Sequence, residues 1–293
     1  MEIKVGSVVA RKSYNFDLLF RVIELKEDKR GKTMAILCGQ DMRLIADAPL
    51  EDLVIVNKQE INSREQIEHD RIEQSLYLLK QDHQLSREKQ EYYSTSAYSF
   101  QDQLFHIPGR VLHIDGDPLY LKKCLSLYEQ IGVPVYGVYC KETEMPERVG
   151  DLIDQYRPDI LVITGHDAYS KNKGKISDIR AYRHSLHFVK TVKNARKKIP
   201  HLDQLVIFAG ACQSHFESII RAGANFASSP SRVNIHALDP VYIVSKISFT
   251  PFVERVNVWE VLRNTLTREK GLGGIETRGV LRSGMPFNKH DDE

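Results

Sequence analysis

The chain has 293 residues, 42% of them hydrophobic, enough for a sizeable core and suggestive of two domains or one domain with an appendage. A net charge of +2 gives no general argument for nucleic acid or a membrane surface, and no apolar run approaches the length of a membrane span. The four cysteines, Cys38, Cys124, Cys140 and Cys212, form no CxxC pair, which suits a reducing compartment better than a disulfide framework or a zinc site. The start, Met1-Glu2-Ile3-Lys4-Val5, lacks the apolar core of a signal peptide, so a cytoplasmic protein is expected.

Residues 1–57 read as a small all-β module, with short strand candidates at 8–11, 18–23, 33–38 and 53–56 separated by turn signals such as Asp28-Lys29-Arg30-Gly31-Lys32. An SH3-like barrel is expected, and its basic residues read first as solvated turn charges. Residues 58–109 read as a charged helical connector followed by a linker. Ser63-Arg64-Glu65-Gln66 fits a capping box, Ile67, Ile72, Leu76 and Leu79 follow at helical spacing, and 94–109 is polar and irregular. Arg87 and Lys89 lie in the charged stretch, and Lys171 to Lys175 form a further basic, Gly-containing loop.

From Arg110 the pattern alternates between strand and helix up to residue 270. Val111-Leu112-His113-Ile114 is a strand ending in Asp115-Gly116-Asp117-Pro118, and residues 133–139 form a second, whose Pro134 places it at an edge. Asp159-Ile160-Leu161-Val162-Ile163 is a third strand, closed by Thr164-Gly165-His166-Asp167. A helix then carries Ile179, Tyr182, Leu186, Val189 and Val192 inward and Arg180, Arg183, Lys190, Lys193, Arg196 and Lys197 outward, a basic face read as solvated. Leu205-Val206-Ile207-Phe208 is a fourth strand that stops at Ala209-Gly210-Ala211, with Cys212 just past its end. Further strands are expected at 224–229 and 241–249, a last helix through Val258, Val261, Leu262 and Leu266, and a mobile tail over 271–293.

In an α/β sheet consecutive units place their strands side by side and gather chemistry at the carboxyl ends, so His166 and Cys212 are expected to meet. A free cysteine after a strand is more often packing than catalysis, but pairing with a strand-end histidine favours a Cys–His dyad. Helical spacing of Phe216, Ile219 and Ile220 puts Cys212 on or just before a helix's first turn, where the macrodipole favours a thiolate. His215 is a rival base that shares the nucleophile's helix. No third, orienting carboxylate is apparent from spacing.

An apolar run plus His followed by an apolar run plus Ala-Cys resembles the caspase, legumain, gingipain and clostripain peptidases over roughly residues 110–265. Over nearly the whole length, the β module, charged helix, Thr164-Gly165-His166-Asp167 and Gly210-Ala211-Cys212-Gln213-Ser214-His215-Phe216-Glu217 together resemble the YabG family of sporulation-specific peptidases. The resemblance implies a caspase-like, mostly parallel six-stranded α/β sheet. It implies a cysteine endopeptidase acting on spore coat and morphogenetic proteins, in the mother cell and on the forming coat, without metal, cofactor, nucleic acid or membrane. Cys212 would then be the nucleophile and His166 the general base, with the backbone N–H groups of Cys212 and Asp167 as the oxyanion hole. Asp167 stands where the wider group has glycine and brings a carboxylate to the site. In that group the loop after the first strand supplies a charged wall of the specificity pocket. Asp115 or Asp117 would here select a basic side chain, most readily Arg, which a carboxylate can hold bidentately; the plainer reading of Asp117-Pro118 is a helix cap. Two rival classes are a Mg²⁺-dependent receiver- or phosphatase-like protein using Asp115 and Asp117, and a non-enzymatic coat scaffold.

Overall fold

The computed structural model describes residues 2–28, 31–95 and 105–284, and within the first long helix the side chains of 87 and 89–95 fall outside that description. Lys29, Arg30, most of the 94–109 linker, the side chains of Arg87 and Lys89, and the tail beyond 284 therefore lie outside the described residues.

The N-terminal module is a five-stranded antiparallel sheet: β1 (Val8–Arg11), β2 (Phe20–Glu27), β3 (Thr33–Gly39), β4 (Ile45–Pro49) and β5 (Leu53–Ile55). Its order is β4-β3-β2-β1-β5, so the last strand returns beside the first around a core of Val9, Phe20, Val22, Ala35, Leu37, Ala48 and Leu53. Helix α1 (Lys58–Thr95) begins five residues before the expected capping box, because the Asn57 side chain accepts from the Glu60 N–H at 2.8 Å and caps it there. The helix is more than a connector. Leu76 and Leu79 are buried in the main core, and the Asp82 carboxylate accepts from Lys246 at 3.1 Å, from Asn264 at 3.0 Å and from Arg263.

After β6 (Phe105–Ile107) come β7 (Val111–Asp115), α2 (Pro118–Ile131), β8 (Val135–Tyr139), α3 (Met145–Tyr156), β9 (Ile160–Thr164), α4 (Ser185–Lys198), β10 (Val206–Ala209), α5 (Phe216–Arg221) and β11 (Phe226–Ser228). The chain continues through α6 (Asp239–Ser248), β12 (Arg255–Val256), α7 (Val258–Leu262), α8 (Arg268–Gly271), β13 (Leu272–Gly274), β14 (Thr277–Arg278) and β15 (Arg282–Gly284). The main sheet runs β13-β11-β10-β9-β7-β8, parallel except for β13. Because successive side chains point to opposite faces, Ile160 and Val162 join the core beneath α1, α2 and α6, while Leu161 and Ile163 join the one beneath α3 and α4. Burial on both faces is why these strands read as unbroken apolar runs. No described helix is long and apolar enough to cross a membrane.

Four expectations need correction. Residues 241–249 are not the sixth strand but lie mainly in α6, opened by Pro240 in its first turn and buried nearly all round, so the apolar run carries no period that separates helix from strand. The sixth strand is β13, inside the segment expected to be a mobile tail; Leu272 is buried, and β13 pairs antiparallel with β11. Part of the 94–109 linker is also paired, since β6 lies antiparallel to β15. Arg196, assigned to a solvated face, is half-buried. It donates to the carbonyls of Gly223 and Leu205 at 2.8 Å each and to the Asn225 side chain at 2.8 Å.

Candidate active site

The two signature strands are neighbours. Ile163 of β9 pairs with Ala209 of β10, and the Gly210 N–H continues the ladder to the Ile163 carbonyl at 3.0 Å. His166 and Cys212 each lie three residues past that pair (166 − 163 = 3; 212 − 209 = 3). Among the described residues no hydrogen bond joins Cys212 to His166; each is held by other groups.

His166 Nε2 lies 2.8 Å from Asp117 Oδ2, and its Nδ1 is buried without a partner among the described residues. Asp117 does two jobs at once. Its Oδ1 caps α2 by accepting from the N–H groups of Leu119 at 2.7 Å and Tyr120 at 3.2 Å, and its Oδ2 faces the imidazole. Burial works to raise the Asp117 carboxyl, but His166 and the two helix N–H groups outweigh it and hold it below the usual carboxylate range. Asp117 is thus both the expected helix cap and a carboxylate partner of His166 that spacing did not reveal, contributed by the neighbouring strand end 49 residues away.

Glu142, which sequence reasoning missed, fixes the backbone at His166. Its Oε1 accepts the His166 N–H at 2.7 Å. Its carboxylate lies over the ends of β7 and β9, where a Cβ on Gly116 or Gly165 would come within 2.2 or 2.4 Å of that oxygen. Two glycines at adjacent strand ends were the one trace of it in the sequence.

Cys212 is fully buried and does not sit on a helix. A turn with Gln213 at φ +56° separates it from α5, whose N-cap is His215, and α5 is only six residues long. Burial pushes the Cys212 thiol up to about 12, against the smaller lowering from the Ile235 N–H, which points at Sγ at 3.2 Å. Burial therefore works against the expected thiolate. The N–H groups of Cys212 and Asp167 have no acceptor among the described residues. The Asp167 carboxylate is turned aside, accepting from Ser214 at 3.0 Å, the His184 N–H at 2.8 Å and Ser185, and burial raises it above its ordinary range despite those bonds. His215 is also occupied elsewhere: Nε2 lies 3.1 Å from the Ser177 carbonyl, and Nδ1 faces the Ser218 N–H at 3.4 Å.

Asp115, the other candidate pocket acid, is fully buried at the end of β7. Its Oδ2 accepts from Arg43 Nη1 at 2.7 Å and lies 3.4 Å from His113 Nε2. Burial alone would raise it, but the Arg43 charge and the His113 bond win and hold it well below the ordinary carboxylate range. Arg43 belongs to the N-terminal module, from the loop between β3 and β4, 72 residues before its partner. No local pattern announces such a contact.

The family model described as YabG peptidase U57 matches residues 4–286, a span that includes every residue of this cluster. The chain belongs to the YabG peptidase family. It is 67% identical over 290 residues to the sporulation-specific protease YabG of Bacillus subtilis (strain 168), covering 99% of this chain and 100% of that relative. No solved structure matches it. Within this YabG family member the N-terminal module and the sheet both lie inside the matched span, so Arg43 belongs to the family region as much as Cys212 does.

Proposed function

We propose that this YabG family member is a cysteine endopeptidase that cleaves spore coat and morphogenetic proteins during sporulation, after arginine, in the mother cell and on the forming coat. The observation that carries this reading is a strand-end histidine clamped by Asp117 through Nε2, its Nδ1 left unpartnered, on the strand paired with the one leading to Cys212. With Nε2–H donated to Asp117, Nδ1 keeps the lone pair and takes the Cys212 thiol proton. The sulfur attacks the scissile carbonyl, and the oxyanion is met by the N–H groups of Cys212 and Asp167. Imidazolium His166, stabilised by Asp117, protonates the leaving amine as the C–N bond breaks. Water, deprotonated by His166, then hydrolyses the thioester and returns the thiol. Asp115, when it is not paired with Arg43, selects the arginine of the substrate.

A Mg²⁺-dependent receiver or phosphatase reading is disfavoured by how the carboxylates are spent. Asp115 is neutralised by Arg43, and Asp117 by a helix N-terminus and His166. The test is hydrolysis of an Arg-ending fluorogenic peptide and of a coat-protein extract by wild type, Cys212→Ala and His166→Ala, with and without EDTA. Loss in both variants with indifference to EDTA supports the reading, whereas cleavage by Cys212→Ala would refute it.

A further inference from the structure

The loop that carries Arg43 does more than touch the sheet. Met42 and His236 form an antiparallel bridge flanked by two backbone hydrogen bonds. The Ala237 N–H donates to the Asp41 carbonyl at 2.8 Å, and the Arg43 N–H donates to the Ile235 carbonyl at 3.2 Å. This is how an extended peptide adds to an exposed edge: main-chain bonds give affinity, and alternate side chains enter pockets. The alternate side chain here is Arg43. It is fully buried, ion-paired with Asp115 at 2.7 Å, bonded to the Ala237 carbonyl at 3.2 and 3.3 Å, and seated 5.3 Å from the Tyr120 ring centre. The Tyr120 hydroxyl lies 2.5 and 2.6 Å from the carbonyls of Gly39 and Met42 and anchors the loop. Ile235, which accepts from Arg43, also points its own N–H at Cys212 Sγ at 3.2 Å, so one residue bridges the guest segment and the nucleophile.

We propose that Asp41-Met42-Arg43 is a resident substrate mimic, lying along residues 235–237 with Arg43 in the acidic pocket, so that Arg-containing substrates compete with the N-terminal module for the site. The inference rests on the peptidase reading above and assigns residues 235–237 as the strand on which substrates lie. The mimic is held in a form that resists cutting. The Leu44 N–H closes back on the Met42 carbonyl at 2.7 Å, a three-residue turn about Arg43 that bends the chain out of the extended course a scissile bond requires. With the mimic in place Arg43 fills the acidic pocket, and Ile235, which accepts from the Arg43 N–H, also holds the Cys212 sulfur; its departure opens the pocket.

The antiparallel bridge supplies the test. Met42 and His236 face each other as a non-hydrogen-bonded pair, the arrangement in which Cα atoms come closest and a disulfide can close. In Met42→Cys/His236→Cys, the oxidised protein should lose at least about tenfold in hydrolysis of an Arg-ending peptide, and reduction should restore it, since the competent fraction sets apparent affinity. Arg43→Ala should in parallel label at Cys212 at least about tenfold faster than wild type with a peptidyl-Arg chloromethyl ketone, with Arg43→Lys between them. If Arg43→Ala does not fold, the disulfide pair decides alone. Equal turnover by the cross-linked and reduced forms, or unchanged labelling in a folded Arg43→Ala, would overturn the mimic while leaving the peptidase intact. Absence of turnover and labelling from every form would overturn the peptidase reading and this inference with it.

Discussion

Asp117→Asn separates the two jobs of one carboxylate. Asparagine caps helices about as well as aspartate, and its side-chain oxygen can keep the bonds now made to Leu119 and Tyr120 at 2.7 and 3.2 Å. What changes is the atom 2.8 Å from His166 Nε2. An amide NH₂ there can only donate, so Nε2 must become the acceptor and the proton moves to Nδ1, the nitrogen needed to receive the Cys212 proton. A wrong tautomer of this kind costs about 10²–10⁴-fold in kcat. Asp117→Ala removes the cap as well and costs a further ~1 kcal/mol of stability, about 2–4 °C in a domain of this size. The assay is steady-state hydrolysis of an Arg-ending peptide beside thermal unfolding of both variants. The expected pattern is a collapse of kcat in Asp117→Asn with its melting temperature near wild type, and both losses in Asp117→Ala. An Asp117→Asn protein with wild-type kcat would refute the assignment, because the tautomer would then not matter.

Glu142→Gln should be milder: the amide oxygen can still accept the His166 N–H, so an activity loss of about tenfold or less is expected, whereas Glu142→Ala leaves that N–H unpaired and should lose more in the same peptide assay. Because burial holds the Cys212 thiol up at about 12, iodoacetamide should modify Cys212 in the native protein far more slowly than in urea, its rate still climbing at pH 10; mass spectrometry of the labelled peptide reads this, and a plateau near pH 7 would contradict the buried thiol. The raised thiol also carries a sign for stability: its contribution is complete below the ordinary thiol pKa of about 9 and is lost as pH rises toward 12, so Cys212→Ser should flatten the alkaline limb of a urea-unfolding series. The lowered Asp115 works the opposite way, contributing above the ordinary carboxylate range and losing that contribution as pH falls below it, so Asp115→Asn should flatten the acid limb. Leu272→Ala should cost about 2–5 kcal/mol in urea unfolding, since this side chain closes the main core from β13.

The parts legible in the sequence were those whose signal is local. Val111 to Ile114, Ile160 to Ile163 and Val206 to Phe208 announced parallel strands because both faces are buried, and their ends pointed to His166 and Cys212. The same signal misled at Val241 to Ile247, where a helix packed on every side also reads as continuous apolar sequence. The true sixth strand was hidden for the opposite reason. Leu272-Gly273-Gly274 has one apolar side chain, and its glycines are there because Phe216 and Phe226 press against the backbone, where a Cβ would come within 3.0 and 2.4 Å of their rings. Phe216, Ile219 and Ile220 fix where a helix lies but not how many residues of turn precede it, nor that Cys212 is fully buried, which works against a thiolate. Arg43 was unreadable, since it reaches its partner across the fold and sits in no motif, and Glu142 left only the two glycines it covers as a trace.

The carboxylate laid over Gly116 and Gly165 carries an evolutionary consequence. A step from either glycine to alanine pushes the Glu142 carboxylate away from the His166 amide, and shrinking that side chain first strips the same amide of its acceptor. Each single change passes through a less fit intermediate, whichever comes first. The three positions are therefore expected to descend through the lineage as a frozen trio, or to change together in one branch where a different group has taken over the amide.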